Sequence, residues 1–264
     1  MTRNQPTFVP SLLAMALLGT PVAIASPAGA EPAQAAAPQP TLDQVLDKYV
    51  QALGGKAAIE KITSRVMTGS IEAPASGDNG SIVPGTIEID QKAPNLRATS
   101  FSFPGNGGDQ SGFNGKAGWY VDPDEGPKDM SADDVAAMRL EAEFYRPLRL
   151  KEIFPNLTLK GTAKVNGHDA YIVEAPHQDG SIERLYFDTT SGLLIRDEVP
   201  VFVPDEGNTT IVNDFSDYRS VDSVQLPFNI HQTSPDFEYI IQLREVKQNV
   251  QIDDVKFNKP AVSH

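Results

Sequence analysis

TLDQVLDKYVQALGGKAAIEKITSRVMTGSI, residues 41–71, contains the point at which the hydrophobic periodicity of the chain changes. Six apolar residues recur at helical spacing before Gly54, and all six fall on one face of a helix. Thr41 and Gln44 have the residue types and the spacing of a capping box, and glycine commonly ends a helix. The stretch therefore predicts a helix that begins after Thr41 and stops at Gly54.

From Ser64 onward the apolar residues alternate with a period of two, which is typical of β-strands. Asn-Gly pairs separate several of these runs, and both residues of such a pair tolerate the positive φ of a type I′ turn. Asn166-Gly167 thus predicts a hairpin between residues 157–165 and 168–175. Further strands are predicted over residues 181–187, 193–201, 209–218, 228–233 and 237–246.

One helical segment interrupts the strands, from Ser131 to Tyr145. Ser131 is a favourable N-cap, and Asp133 and Asp134 lie in the first turn, where negative charge is stabilised. Proline disfavours helical conformation in the residue before it, so we expect this helix to end before Pro147.

The segment Asp188-Thr-Thr-Ser-Gly192 has the composition of a catalytic aspartic-protease loop. In that loop, however, glycine follows aspartate by two residues, and here it follows by four. A second copy of the loop, which the shared-proton mechanism requires, does not occur in the sequence. Two β-like runs flank the segment, and its residues favour a tight turn. We therefore interpret residues 185–198 as a β-hairpin.

The first 40 residues differ in composition from the rest of the chain. Arg3, an apolar run over residues 11–18 and the small residues of Ala28-Gly29-Ala30 are typical of a secretory signal peptide. We expect residues 1–30 to be this signal peptide and the Ala/Pro-rich residues 31–40 to be a flexible leader. The remainder, residues 41–260, is predicted to form a single domain that is exported and periplasmic, with no stable membrane insertion.

Composition excludes several classes of function. The chain has no cysteine, which excludes disulfides, thiol nucleophiles and an amino-terminal lipid-attachment cysteine. Its net charge is −13, and residues 1–30 hold one basic and no acidic residue, so the exported chain carries −14. Because such a surface repels phosphate backbones, we expect no nucleic-acid binding.

We predict no catalytic residues, no metal site and no cofactor. The four histidines lack the helical spacing of a zinc-hydrolase motif, and the acidic residues 122–125 lack the pattern of a calcium-binding loop. An enzyme is left only as a third possibility, which would rest on scattered carboxylates such as Glu174, Asp214 and Asp217.

The sequence resembles the LolA/LolB-like superfamily of outer-membrane lipoprotein-sorting proteins. The resemblance is carried by LDKYVQALGGKAAIEKITSRVMTGSIE, FNGKAGWYVDP, YFDTTSGLLIRDE, DYRSVDSVQLPFNI and IDDVKFNKP, and it extends from about Thr41 to Pro260. One departure is Ser223, at a turn position where this family would have glycine.

The resemblance implies an α+β fold, mainly antiparallel β, in which helices cover the concave face of an incomplete curved β-barrel. In the characterised carriers of the superfamily, a hydrophobic cavity in this fold holds the acyl chains of a lipoprotein. The absence of a lipidated cysteine favours a LolA-like carrier over a membrane-anchored acceptor.

On this basis we expect a non-catalytic carrier of a lipid or an acylated lipoprotein. The Ser131–Tyr145 segment would act as a lid, and a glutamate at its Phe144 would abolish ligand uptake without unfolding the chain. The expected cavity lining is Phe101, Phe103, Trp119, Met138 and Phe144. The alternative is a protein-interaction module of an envelope complex, which would use the same fold with a filled core and bind an envelope protein partner.

Overall fold

The computed structural model describes residues 39–74, 82–105, 107–122, 125–203, 207–235 and 237–261. Residue contacts divide the chain into residues 1–39 and residues 40–264, and every helix and strand given below belongs to the second part. The predicted signal peptide and residues 31–38 of the predicted leader lie outside the described residues.

The helices of the described chain are short. Thr41 caps the first of them by a complete capping box, in which its hydroxyl accepts from the Gln44 N–H at 3.2 Å and its own N–H donates to Gln44 Oε1 at 2.8 Å. The predicted first helix, with Gly54 after its end, is therefore confirmed. The helices are α1 (Leu42–Ala52), α2 (Lys56–Ile59), α3 (Ala132–Glu141) and α4 (Arg146–Ile153), followed near the end of the chain by a 3₁₀ turn (Asp254–Phe257).

The strands pair in one antiparallel sheet, and every strand predicted after Pro147 is present with small shifts at its ends. Their bounds are β1 (Ser64–Pro74), β2 (Ile82–Lys92), β3 (Leu96–Phe103), β4 (Gly107–Asn114), β5 (Gly118–Asp122), β6 (Gly126–Asp129), β7 (Thr158–Val165), β8 (His168–Pro176), β9 (Ile182–Asp188), β10 (Leu194–Val203), β11 (Gly207–Val221), β12 (Val224–Thr233) and β13 (Glu238–Gln248).

The order of the strands shows that the sheet is an open barrel. It runs β6-β5-β4-β3-β2-β1-β13-β12-β11-β10-β9-β8-β7, so the first and the last strands of the chain meet in its middle. Between the described residues, no ladder joins the edge strands β6 and β7. The predicted fold class, an α+β chain built on an incomplete curved antiparallel barrel, is confirmed.

One face of the sheet, called the inner face here, packs against α1 and α4. Its core includes Leu46 and Tyr49 from α1, Leu150 from α4, and Ile71 and Leu185 from the sheet, all less than 9% exposed. The opposite, outer face is covered over part of β2–β5 by the segment around the 3₁₀ turn. Alternation along each strand assigns every other side chain to the inner face.

The segment predicted as one helix from Ser131 to Tyr145 is two elements. Ser131 is the N-cap, as predicted, but α3 ends at Glu141 and a second helix begins at Arg146. Pro147 lies in the first turn of α4, where its missing N–H needs no intrahelical partner. The helix therefore ends before Pro147, as predicted, but four residues before the expected Tyr145, and the proline lies at the start of a second helix.

Two hairpin turns show the positive φ that their sequences suggest. Asn166 and Gly167 have φ of 50° and 87°, and they join β7 to β8 as predicted. Asp222 and Ser223 have φ of 46° and 69° between β11 and β12. Ser223 thus adopts the left-handed conformation that a glycine at this position would adopt more easily.

Candidate functional site

Phe101 and Phe103 lie on the inner face, at the end of β3 away from α4. They alternate with Ser100 and Ser102, and Phe101 pairs with the inner-facing Ile87 of β2. Their rings meet edge to face at 5.8 Å, and the Phe101 ring is 6.1 Å from that of Tyr239. The Phe237 ring stacks on Tyr239 at 5.0 Å. These four residues, the aromatic cluster, are all partly exposed.

Phe144 is part of the core and not part of a free lid. Its side chain is 8% exposed, its N–H donates to the Pro94 carbonyl at 3.0 Å, and its ring contacts Tyr145 at 5.2 Å. The expectation that a glutamate here would leave the fold intact is corrected, since the substitution would place a carboxylate among buried apolar side chains.

Trp119 lies on the outer face, so the structure does not bring it together with the phenylalanines of β3. It pairs with Gly112, and its indole N–H donates to the Phe257 carbonyl at 2.8 Å. A Cβ at Gly112 would come within 2.7 Å of the indole ring, so the absence of a side chain there makes room for the tryptophan. Trp119 thus fixes the carboxyl-terminal segment to the sheet.

Met138 lies on α3 and is partly exposed. None of the α3 residues is buried, and the main contacts of the helix with the sheet are at β4 and β5, near its edge. One ion pair, between Glu141 and Arg97 Nη2 at 2.8 Å, links the end of α3 to the inner face of β3. α3 is therefore the loosely packed part of the predicted lid.

Polar residues on the inner face were missed by the sequence analysis. Asn213 donates to Asp197 Oδ1 at 2.7 Å and accepts from the Gln232 amide at 2.8 Å, so the three side chains form a chain across β10, β11 and β12. Burial raises the pKa of Asp197 to about 7 against the opposing effect of the Asn213 hydrogen bond. A carboxyl group in this position changes charge near neutral pH.

A second inward-facing carboxylate is Glu183, which is 1% exposed. It forms an ion pair with Arg146 of α4, and His177 Nε2 lies 3.3 Å from its Oε2. Glu183 lies two residues before the buried Leu185 and four before the buried Phe187 on β9, so its side chain is on the same face of the strand. This spacing is the signal from which its inward position could have been predicted. The pair attaches α4 to the sheet.

The carboxylates that would have supported an enzyme do not gather in one cleft. Arg196 holds Asp214 through two hydrogen bonds of 2.8 and 2.7 Å, Arg219 pairs with Asp217, and Lys160 lies 3.2 Å from Glu174. Within the described residues, no group of three or more His, Asp or Glu side chains is arranged to hold a metal ion.

None of the described helices has the length and apolar composition needed to cross a membrane.

Two cavities open on the outer face. The larger, of about 620 Å³, is lined mainly by hydroxyl and other polar side chains, including Thr68, Thr86 and Gln110. A neighbouring cavity of about 490 Å³ lies between Trp119 and the segment from Val255 to Ala261. On the inner face, the region beside α1 and α4 is filled by core side chains, and Phe101, Phe103 and Tyr239 of the aromatic cluster pack against this core.

Comparison with solved structures identifies the fold. The chain is similar to a DUF1329 family protein from Desulfovibrio piger, with a TM-score of 0.56, 12% identity and coverage of 83% of this chain and 98% of that one. It is equally similar to a LolA superfamily protein from Nitrosomonas europaea, with a TM-score of 0.55, 12% identity and coverage of 84% and 99%.

A third similar structure is a putative outer membrane lipoprotein-sorting protein domain from Vibrio parahaemolyticus, with a TM-score of 0.55, 12% identity and coverage of 82% and 97%. No protein-family model matches the sequence, and no curated protein matches it. The likeness extends over almost the full length of these three proteins. This chain, with one open antiparallel sheet and helices on its inner face, therefore has the LolA-like fold.

Proposed function

We propose that this protein is a periplasmic carrier that binds a lipid, or the acyl chain of a lipoprotein, against the inner face of its open barrel, without covalent catalysis. The observation that supports this most directly is the aromatic cluster, since Phe101, Phe103, Phe237 and Tyr239 lie together on the inner face and are all partly exposed. Contiguous apolar surface of this kind is typical of a ligand or partner site.

The mechanism we propose is reversible burial. Apolar surface removed from water contributes about 25 cal/mol per Å², so an acyl chain that buries a few hundred Å² gains several kcal/mol before the cost of ordering it is subtracted. No bond needs to form or break, and release requires only that the chain be exposed again.

In this proposal α3 is the lid, and the residues after it are its fixed base. α3 buries none of its residues, whereas Ala142 and Phe144 are 1% and 8% exposed. The proposed lining is accordingly Phe101, Phe103 and Tyr239, and Met138 of α3 is proposed as the contact of the lid with the ligand. Trp119 and Phe144 are left out because of their positions on the outer face and in the core.

A second candidate function is the protein-interaction module. It is favoured by the filled core beside α1 and α4, which leaves less room on the inner face than a deep cavity would need. In that case the aromatic cluster would bind an apolar segment of an envelope protein.

Phe103→Glu tests the carrier proposal. Phe103 is already partly exposed to solvent, so the variant should fold. The new carboxylate would lie beside the bound acyl chain and should weaken its binding, because a charged group is costly to bury against apolar surface. Titration of a pyrene-labelled phosphatidylcholine should show an affinity at least about tenfold weaker than that of the natural chain, which corresponds to about 1.4 kcal/mol.

Val255→Glu is the matched control, because Val255 is 66% exposed and lines the outer cavity. This variant should bind the labelled lipid as the natural chain does. If Val255→Glu loses binding and Phe103→Glu keeps it, the ligand lies on the outer face. If the natural chain takes up no lipid, the interaction module becomes the better account.

A further inference from the structure

A row of polar side chains crosses the inner face at the end of the sheet opposite the aromatic cluster. Gln248 of β13 pairs with Arg65 of β1, Arg65 pairs with Gln91 of β2, and Gln91 pairs with Arg97 of β3. Directly opposed side chains on one face of an antiparallel sheet have Cβ atoms about 5 Å apart. Two guanidinium groups and two amides therefore lie in one continuous line, called the arginine row here.

Arg65 is a partly buried cation without a carboxylate partner. Its Nη1 lies 3.4 Å from Gln91 Oε1, and its guanidinium carbon lies 5.3 Å from the centre of the Phe144 ring. Neither partner carries a formal charge. Among the described acidic residues, none is within ion-pair distance of it, and burial lowers its pKa to about 10. Arg65 thus keeps its positive charge at neutral pH.

Several hydrogen-bonding atoms in the arginine row have no protein partner. Arg65 Nε, Arg97 Nε and both amide atoms of Gln248 are inaccessible to solvent and make no hydrogen bond with the described chain. Gln248 as a whole is 8% exposed. Buried donors without acceptors are costly, and the partly buried Arg65 adds a charge that no carboxylate of the described chain neutralises.

We propose that the arginine row binds an oxyanion, and that this oxyanion is the carboxylate or phosphate of a lipid headgroup. The inference rests on the proposed carrier function and narrows it to anionic ligands. A guanidinium group presents its donors in a planar fork that matches carboxylate and phosphate oxygens, and the amide of Gln248 adds a further donor.

The structure already shows a carboxylate at the edge of the arginine row. Glu141 of α3 contacts Arg97 Nη2 at 2.8 Å, and its side chain is 56% exposed while that of Arg97 is 13% exposed. An oxyanion from solution would bind to the partly exposed guanidinium groups of Arg65 and Arg97, next to this contact. Glu141 competes with it, because its negative charge is close to the same site.

The position of the arginine row fits one molecule that has an anionic end and an apolar end. Arg97, Thr99, Phe101 and Phe103 follow one another on the inner face of β3, because successive side chains alternate between faces. Six residues of strand separate Arg97 from Phe103, which is roughly 20 Å at about 3.3 Å per residue. A headgroup on the arginine row would direct its acyl chain towards the aromatic cluster.

Paired ligands that differ only in charge test this inference. Palmitate and methyl palmitate, each below its aggregation concentration, are titrated calorimetrically into the mature chain. Palmitate should bind about tenfold or more tightly than the ester, which is the range expected for hydrogen bonds to a charged group. In Arg65→Met the two affinities should become equal, whereas Lys164→Gln, which removes an exposed cation of β7, should leave the difference unchanged.

Glu141→Gln should raise the affinity for palmitate, whereas Arg65→Met should lower it. It removes the competing carboxylate and should strengthen palmitate binding about two- to fivefold without affecting the ester. This variant is informative even if Arg65→Met fails to fold, because Glu141 is exposed and a glutamine in its place can still accept from Arg97. An unchanged or weaker palmitate affinity in Glu141→Gln contradicts the proposal.

The outcomes separate the inference from the carrier proposal. If palmitate and its ester bind equally to the natural chain, the anion site is wrong and the carrier proposal stands. If neither lipid binds but inorganic phosphate does, in a manner that Arg65→Met abolishes, the row binds free anions and both the carrier and the lipid headgroup are excluded. If nothing binds, both proposals fail, and ordered water is left to satisfy the buried donors.

Discussion

At the scale of the residue, Asp197 is a carboxyl group on the inner face with a raised pKa. Alternation on β10 turns its side chain inward, and Asn213 donates to it at 2.7 Å. Burial raises its pKa to about 7, whereas a carboxyl in the unfolded chain titrates near about 4. Between these values the folded protein holds a proton that the unfolded chain has released. Stability therefore falls as pH rises from about 4 to about 7, and the full penalty is present above that range.

Asp197→Asn should remove this pH dependence. Asparagine cannot ionise and can still accept from Asn213, so the variant should gain stability over the natural chain as pH rises. A pK unit corresponds to about 1.4 kcal/mol, so the stability advantage of the variant should grow by about 2.6 kcal/mol between pH 5 and pH 8, as measured by urea unfolding.

Asp217→Asn is the control for that experiment. Its carboxylate is exposed, and a hydrogen bond with Arg219 lowers its pKa, so it is ionised throughout this pH range. The difference between this variant and the natural chain should not vary with pH. An advantage of Asp197→Asn that stays constant from pH 5 to pH 8 would show that Asp197 is charged throughout.

At the scale of the element, the β9–β10 hairpin shows what Asp188 does in place of catalysis. Its Oδ1 accepts from Thr190 N at 3.0 Å, from Ser191 N at 2.5 Å and from Ser191 Oγ at 2.8 Å. Burial alone would raise the pKa of Asp188, but the hydrogen bonds from Ser191 and Thr190 outweigh burial and lower it. The residues that resemble a protease loop are used to close a turn.

Asp188→Ala should destabilise the protein by about 2–4 kcal/mol. The side chain of Asp188 is 4% exposed, and without it the N–H groups of Thr190 and Ser191 lose their acceptor. Asp169→Ala is the matched control on the neighbouring strand. Its exposed ion pair with Lys164 should contribute less than about 1 kcal/mol. Chemical denaturation measures both, and equal losses would mean that the Asp188 hydrogen bonds do not support the hairpin.

Elements with strong local signals could be predicted from sequence. The capping box of Thr41 and the Asn166-Gly167 turn depend on residues close in the chain, and both are present as predicted. The break between α3 and α4 could not be predicted in the same way. α3 buries no residue and so carries no clear hydrophobic stripe, and Pro147 is compatible both with the end of one helix and with the first turn of the next.

At the scale of the whole molecule, alternation gives two faces for each strand but does not say which face the helices cover. Trp119 was placed with Phe101 and Phe103 on composition alone, and strand pairing puts it on the opposite face. The arginine row was missed for the same reason. Arg65, Gln91, Arg97 and Gln248 are far apart in sequence, and only the pairing of β13, β1, β2 and β3 makes them neighbours.

The fold as a whole could be predicted because the family resemblance that implies it is carried by turns and strands along the whole domain, whereas the candidate site depends on which strands are adjacent. The first and last strands pair in the middle of the sheet, so the inner face combines residues from both ends of the chain.

Native mass spectrometry of the mature chain, purified from the periplasm without detergent and followed by solvent extraction, tests the carrier proposal most directly. We expect a bound species whose extracted mass is that of a lipid or an acylated peptide, and its loss in Phe103→Glu but not in Val255→Glu. A protein mass without ligand that persists after incubation with phospholipids and acylated peptides would contradict the account.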